Sequence, residues 1–149
     1  MRLFIAGLLL ISLCSCAEFS DERRIRQDRE QINQKLYRQA DVASAEARKA
    51  MINFLNCIER YVRSNATIPV TAAELADAAI SDCKRDVSDY KYNKQEYYWA
   101  MDSTTVRSLN EIDRARDRSE FKAKQDTDAL VTSGKAEAIR ILIDTKRQR

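Results

Sequence analysis

With 149 residues, a formal charge of +3 and 26 basic against 23 acidic side chains, the chain has room for one modest core and shows no footprint for binding a polyanion. It contains no histidine, which excludes Ser-His-Asp and Cys-His nucleophile pairs and any histidine-ligated zinc site. Its two glycines, Gly7 and Gly134, cannot build a phosphate-cradling loop, and a single proline, Pro69, leaves few tight turns. The predicted class is all-α, a small helical bundle with no nucleotide and no cofactor.

The first element is short. Met1 and Arg2 make a positive start, residues 3–13 are apolar apart from Ser12, and Cys14-Ser15-Cys16-Ala17 follows. This is the layout of a signal peptide over residues 1–15. The run falls well short of the roughly 20 apolar residues that a spanning helix needs. Leu13-Cys14-Ser15-Cys16 resembles the lipobox of bacterial lipoproteins, with Leu three positions before the cysteine and a small residue immediately before it. The resemblance implies cleavage before Cys16 and lipidation of Cys16, with palmitate among the acyl chains, and an envelope protein facing the periplasm. Ala17, where Asp would signal retention, implies the outer membrane. Several acyl chains on one cysteine hold a protein at a membrane without a spanning segment. Cys14 stands where Ala or Ser is usual, and Ser15-Cys16-Ala17 also offers a cut after Ala17 that would release a soluble, secreted chain.

Residues 16–31 carry few sizeable apolar side chains, Phe19 and Ile25, among many charges, and read as a polar tether. The helical domain is expected over 32–149. From Ile32 a stripe runs through Leu36, Ala40, Ala43, Ala47, Ala50, Met51, Phe54, Ile58 and Tyr61 in steps of three and four, which predicts one long amphipathic helix ending near residues 63–65. After the Pro69 turn, Thr71-Ala72-Ala73-Glu74 spells a capping box, with Val70 placed to staple against Leu75. The second helix should bury Leu75, Ala79, Cys83, Val87, Tyr90, Tyr97, Tyr98 and Met101, completing a long helical hairpin.

Beyond a weaker break at 102–105, Val106, Leu109 and Ile112 give a brief apolar stripe, and 113–128 is dominated by charge. That pattern predicts a charged third helix with a solvated surface. A Glu120–Lys124 pair on it would add only about 0.3 to 0.5 kcal/mol. Ser133-Gly134 reads as a stop, followed by a short C-terminal helix burying Ile139, Leu142 and Ile143.

Two cysteines remain in the exported part, Cys57 and Cys83, and an even count in an oxidising compartment predicts one disulfide. The alternative is a pair of buried thiols packing as small hydrophobes. Without a CxxC spacing, a redox-active pair is not expected.

Tyr90, Tyr92, Tyr97, Tyr98 and Trp99 concentrate aromatic surface in one stretch, and since adjacent aromatics cannot all point inward from one helix, some must be exposed; Tyr97, Tyr98, Trp99 and Met101 form the candidate partner-binding patch. The competing reading is core packing against the last helix with an exposed rim. Carboxylate pairs such as Asp82/Asp86 and Asp113/Asp117 lie on charged faces, without the pocket that acid–base chemistry requires. No catalytic residue, metal site or nucleic-acid partner is expected. The reading is a non-enzymatic, lipid-anchored envelope protein whose helical domain binds another protein. In class, size and cysteine count it resembles the pilotins of secretion systems; the other architecture it suggests is a structural tether or surface-exclusion lipoprotein.

Overall fold

In the computed structural model, which describes the backbone of residues 3–106 and 108–148 and side chains from residue 21, the chain forms four α-helices: α1 (Leu3–Asn65), α2 (Ala72–Asp82), α3 (Lys84–Ser103) and α4 (Leu109–Arg147). There is no strand among the described residues. Two compact units are distinguished, Met1–Leu36 and Tyr37–Arg149. In the first, residues 21–32 are helical and exposed, so the polar stretch expected as a tether is helix, and Ile32 is exposed instead of opening the buried stripe.

The second unit is a bundle of three rods: residues 37–65 of α1, the α2–α3 pair, and α4. Their directions follow from which residues meet. Gln39 donates to Glu96, and Cys57 is bonded to Cys83, so α1 runs antiparallel to α2–α3. Asp102 meets Arg118 and Lys122, Asp126 meets Lys94, and Lys135 meets Asp77, so α4 runs antiparallel to α2–α3 in turn. The Asn65–Ala72 connection is tight, with Ile68 N–H donating to the Asn65 carbonyl and the Asn65 amide to the Tyr61 carbonyl.

The capping box at Thr71 is formed. Glu74 N–H donates to Thr71 Oγ1 at 3.2 Å, and Thr71 N–H to Glu74 Oε2 at 2.8 Å, satisfying donors that a helix start leaves free. These bonds from Thr71, backbone first, hold the Glu74 carboxyl below its usual pKa. A second box, Ser108 with Glu111, starts α4 and was equally available in the sequence as Ser-x-x-Glu.

Beyond the early start of α1, two further helix boundaries differ from the sequence expectation. The second helix breaks at Cys83, with neither glycine nor proline to announce it; that residue is at once the C-cap of α2, the N-cap of α3 and one end of the disulfide. Conversely, Ser133-Gly134 is no stop. α4 passes through it, and the expected short last helix is the final part of a continuous one. Gly134 is buried because the Phe54 ring lies against it: a Cβ there would meet Phe54 Cε1 at 2.6 Å and Cζ at 2.7 Å.

The core has two parts. At the loop end, Phe54, Ile58 and Val62 are fully buried beside Leu75, Ala76, Ala79, Leu130, Ile141 and Leu142, each large side chain contributing about 1.5–3 kcal/mol. Elsewhere the buried residues are small: Ala40, Ala43, Ala47 and Ala50 on α1, Ala100 on α3, and Ala115, Ser119, Ala123 and Thr127 on α4. The segment expected as a solvated helix therefore docks through a face of small side chains four residues apart. Lys124 on its outer side reaches Asp128 at 2.7 Å, not Glu120. Met101, expected inside, is exposed.

Gly134→Ala should lower stability despite a helix-propensity gain of about 1 kcal/mol, because wedging a methyl against the fully buried Phe54 ring costs about 1–3 kcal/mol. A urea-unfolding midpoint at or above the wild-type value would show that the ring is not the constraint.

Candidate functional site

Cys16 lies outside the described side chains, so the structure bears on the bundle's chemistry alone. Cys57 and Cys83, separated by 26 positions in sequence, are joined as a disulfide with their Cα atoms 6.0 Å apart. Closing a loop of that length contributes about 3 kcal/mol on the chain-entropy account. Cys83 is buried and Cys57 half-buried. Asp82 brings a carboxylate near both sulfurs, but sulfurs bonded to each other supply no thiolate, so this group of three holds no metal while oxidised.

The four residues of the candidate patch are divided by the fold. Tyr97 and Tyr98 are half-buried, edge to face with centroids 5.2 Å apart, and engaged in a cluster that joins α3 to α4. Tyr98 donates its hydroxyl to Asp126 Oδ2 at 2.9 Å, and Lys94 Nζ lies 2.6 Å from the same oxygen. The ammonium also sits 5.0 Å from the Tyr98 ring centroid, 5.5 Å from Tyr97 and 6.0 Å from Tyr90, distances at which the ring faces attract a cation. Lys122 lies 5.3 Å from Tyr98 on the way to its pair with Asp102. Trp99, half-buried, has the Arg116 guanidinium 6.0 Å from its ring. Met101 is exposed, and so is Tyr92 of the same aromatic stretch.

The electrostatics of this cluster are those of a clamp. Burial acts to raise the Asp126 pKa, but the bonds from Lys94 and Tyr98 outweigh it and the carboxyl titrates below its usual value. Burial likewise acts to lower the Lys94 pKa, and the bond to Asp126 with the nearby Tyr90 and Tyr98 carries it above the ordinary range. Tyr98 is raised by burial and by its bond to Asp126, and Tyr90 mainly by burial. Every shift moves away from neutrality, so each group keeps the protonation state it would have in water. A general acid or base is tuned the other way, toward the working pH.

The surface between α1 and α3 carries a shallow groove of about 360 Å³, walled by Arg38, Gln39, Val42, Ala43, Asn93 and Glu96. Val42 on its wall is 65% exposed. Farther along the same two helices a larger depression of about 630 Å³ is lined by Asn53, Asn56, Glu59, Arg60 and Asp86 and is polar. Among the described residues, no helix is long and apolar enough to cross a membrane.

Compared with family models, curated proteins and solved structures, the chain finds no match in any of the three.

Asp126→Asn should destabilise the bundle at neutral pH and cost progressively less below about pH 4. The sign follows from the lowered pKa: the carboxylate's contribution is present above the unfolded-state value and is lost as the pH falls through the folded one. Urea midpoints of both proteins across the acid range test this, and a difference independent of pH would mean that the charge on Asp126 is not what holds α4 to α3.

Proposed function

We propose that this is a non-enzymatic lipoprotein of a bacterial envelope, held by acyl chains on Cys16, whose helical domain binds another protein. The reading is carried by the Leu13-Cys14-Ser15-Cys16 sequence at the end of a short apolar run. The Cys57–Cys83 disulfide supports it independently, since structural disulfides persist in oxidising compartments. Outer-membrane placement, facing the periplasm, follows from Ala17 by resemblance to sorted lipoproteins.

The binding role draws its support from the α1–α3 groove. Val42 and Ala43 offer an apolar floor edged by Arg38, Gln39, Asn93 and Glu96, the kind of surface that accepts one face of an amphipathic helix. This is the pilotin-like form of the proposal. The clustered Tyr97, Tyr98 and Trp99 serve it from behind, by fixing α3, while Met101 and Tyr92 are the side chains of that helix open to a partner. A structural tether or surface-exclusion protein is the second reading, favoured by the exposed helical stretch at 21–32.

The anchor is tested by fractionation. Wild-type protein should resist extraction from membranes by high salt and alkaline carbonate, while Cys16→Ala should appear in the soluble fraction or stay unprocessed. Release of wild-type protein by carbonate would remove the lipid from the account.

A further inference from the structure

Residues 21–36 leave two large apolar side chains in solvent, Ile25 at 62% exposure and Ile32 at 58%. Seven residues apart on one helix, they lie on a single line along it, and Arg29 and Leu36 complete a seam in steps of four and three. In heptad terms Ile25 and Ile32 occupy d, and Glu22, Arg29 and Leu36 occupy a. Such a seam is half of a helix pair.

The flanking charges say what the other half is. Asp21, Asp28 and Lys35 take the g positions, and Arg26 and Asn33 the e positions. In a parallel pair each g residue faces the e residue five positions later on the other strand, so Asp21 meets Arg26 and Asp28 meets Asn33 of an identical helix. Arg29 at an a position repels its own copy, but the a side chain also passes the preceding g residue of the other strand, and that residue is Asp28; Glu22 repels its own copy and passes Asp21, so the seam is weakest at its N-terminal end and is held from Ile25 onward. Each pairing occurs twice by symmetry.

We propose that residues 21–36 pair in parallel with the same segment of a second copy of this chain, as a short two-stranded coiled coil. The parallel sense rests on the lipoprotein reading: two chains held through Cys16 in one leaflet enter with the same polarity, and confinement to a surface raises the effective concentration that a short seam needs.

Cysteine crosslinking of the full chain in its own membranes tests this. Ile32→Cys places a thiol at d, where parallel strands bring identical residues together; Gln34→Cys places one on the opposite face. Mild oxidation should give several-fold more covalent homodimer at Ile32→Cys than at Gln34→Cys. Adding Arg26→Asp to Ile32→Cys should abolish the excess, and adding Asp21→Arg as well should restore it. Equal yields at the two positions, or a crosslink from Ile32→Cys to a different protein, would overturn the proposal. So would an Ile32→Cys chain that links only to a cysteine placed at Arg29, the mark of an antiparallel pair. Labelling the same membranes with a palmitate analogue separates the two claims: labelled chains that fail to crosslink sink the coiled coil and leave the anchor, while unlabelled chains sink the anchor whatever the crosslink shows.

Discussion

The bundle depends on close approach of helices through small side chains. Over most of their buried length α1 and α4 offer alanine, serine and threonine to their neighbours, and only near the α1–α2 turn do Phe54, Ile58, Val62, Leu75 and Leu142 form an ordinary hydrophobic core. Interaxial distance follows the size of the side chains at the contact, so small residues let the rods come close and bury backbone and Cβ atoms in place of long side chains. Gly134 is the tightest instance, with the Phe54 ring occupying the place of its missing side chain. Such contacts yield little transfer energy per residue. The fold is therefore completed by fixed links: two capping boxes, the Cys57–Cys83 disulfide and the Lys94–Asp126–Tyr98 clamp.

That division explains what could be read in advance. The α1 stripe, its end near Asn65 and the Thr71 capping box were legible because each is a local pattern of residue types at fixed spacing. The disulfide was legible from the pair of cysteines left beyond residue 16. The docking face of α4 was not, since Ala115, Ser119, Ala123 and Thr127 are hardly hydrophobic and stand among charges that dominate the segment. Gly134 misled for a related reason: glycine usually marks a helix stop, and here it marks a helix contact that only the tertiary arrangement reveals. The break at Cys83 carries no local signal at all.

The candidate site was legible in composition and not in role. The aromatic concentration at 90–99 is real, but Lys94 lies 5.0–6.0 Å from three of its ring centroids, and Asp126 takes up the hydroxyl of Tyr98. Lys94 sits three or four positions from those rings on α3, but Asp126 lies across the interface on α4, where a reading along the chain has no means of pairing it. The groove at Val42 and Ala43 was missed because two helices make it, and neither side's residues stand out alone. The resulting molecule has α3 fastened to α4, a groove beside it on the α1 side, and titratable groups in the clamp that hold their charge states through neutral pH.

The proposed function requires an exported chain, tethered by Cys16 and closed by Cys57–Cys83, and the intact mass of the protein purified from its own cell membranes without reducing agent decides it. The account predicts a chain beginning at Cys16, heavier by its acyl groups and lighter by the two hydrogens lost to the disulfide. A mass matching the uncleaved sequence with all its thiols free would contradict it.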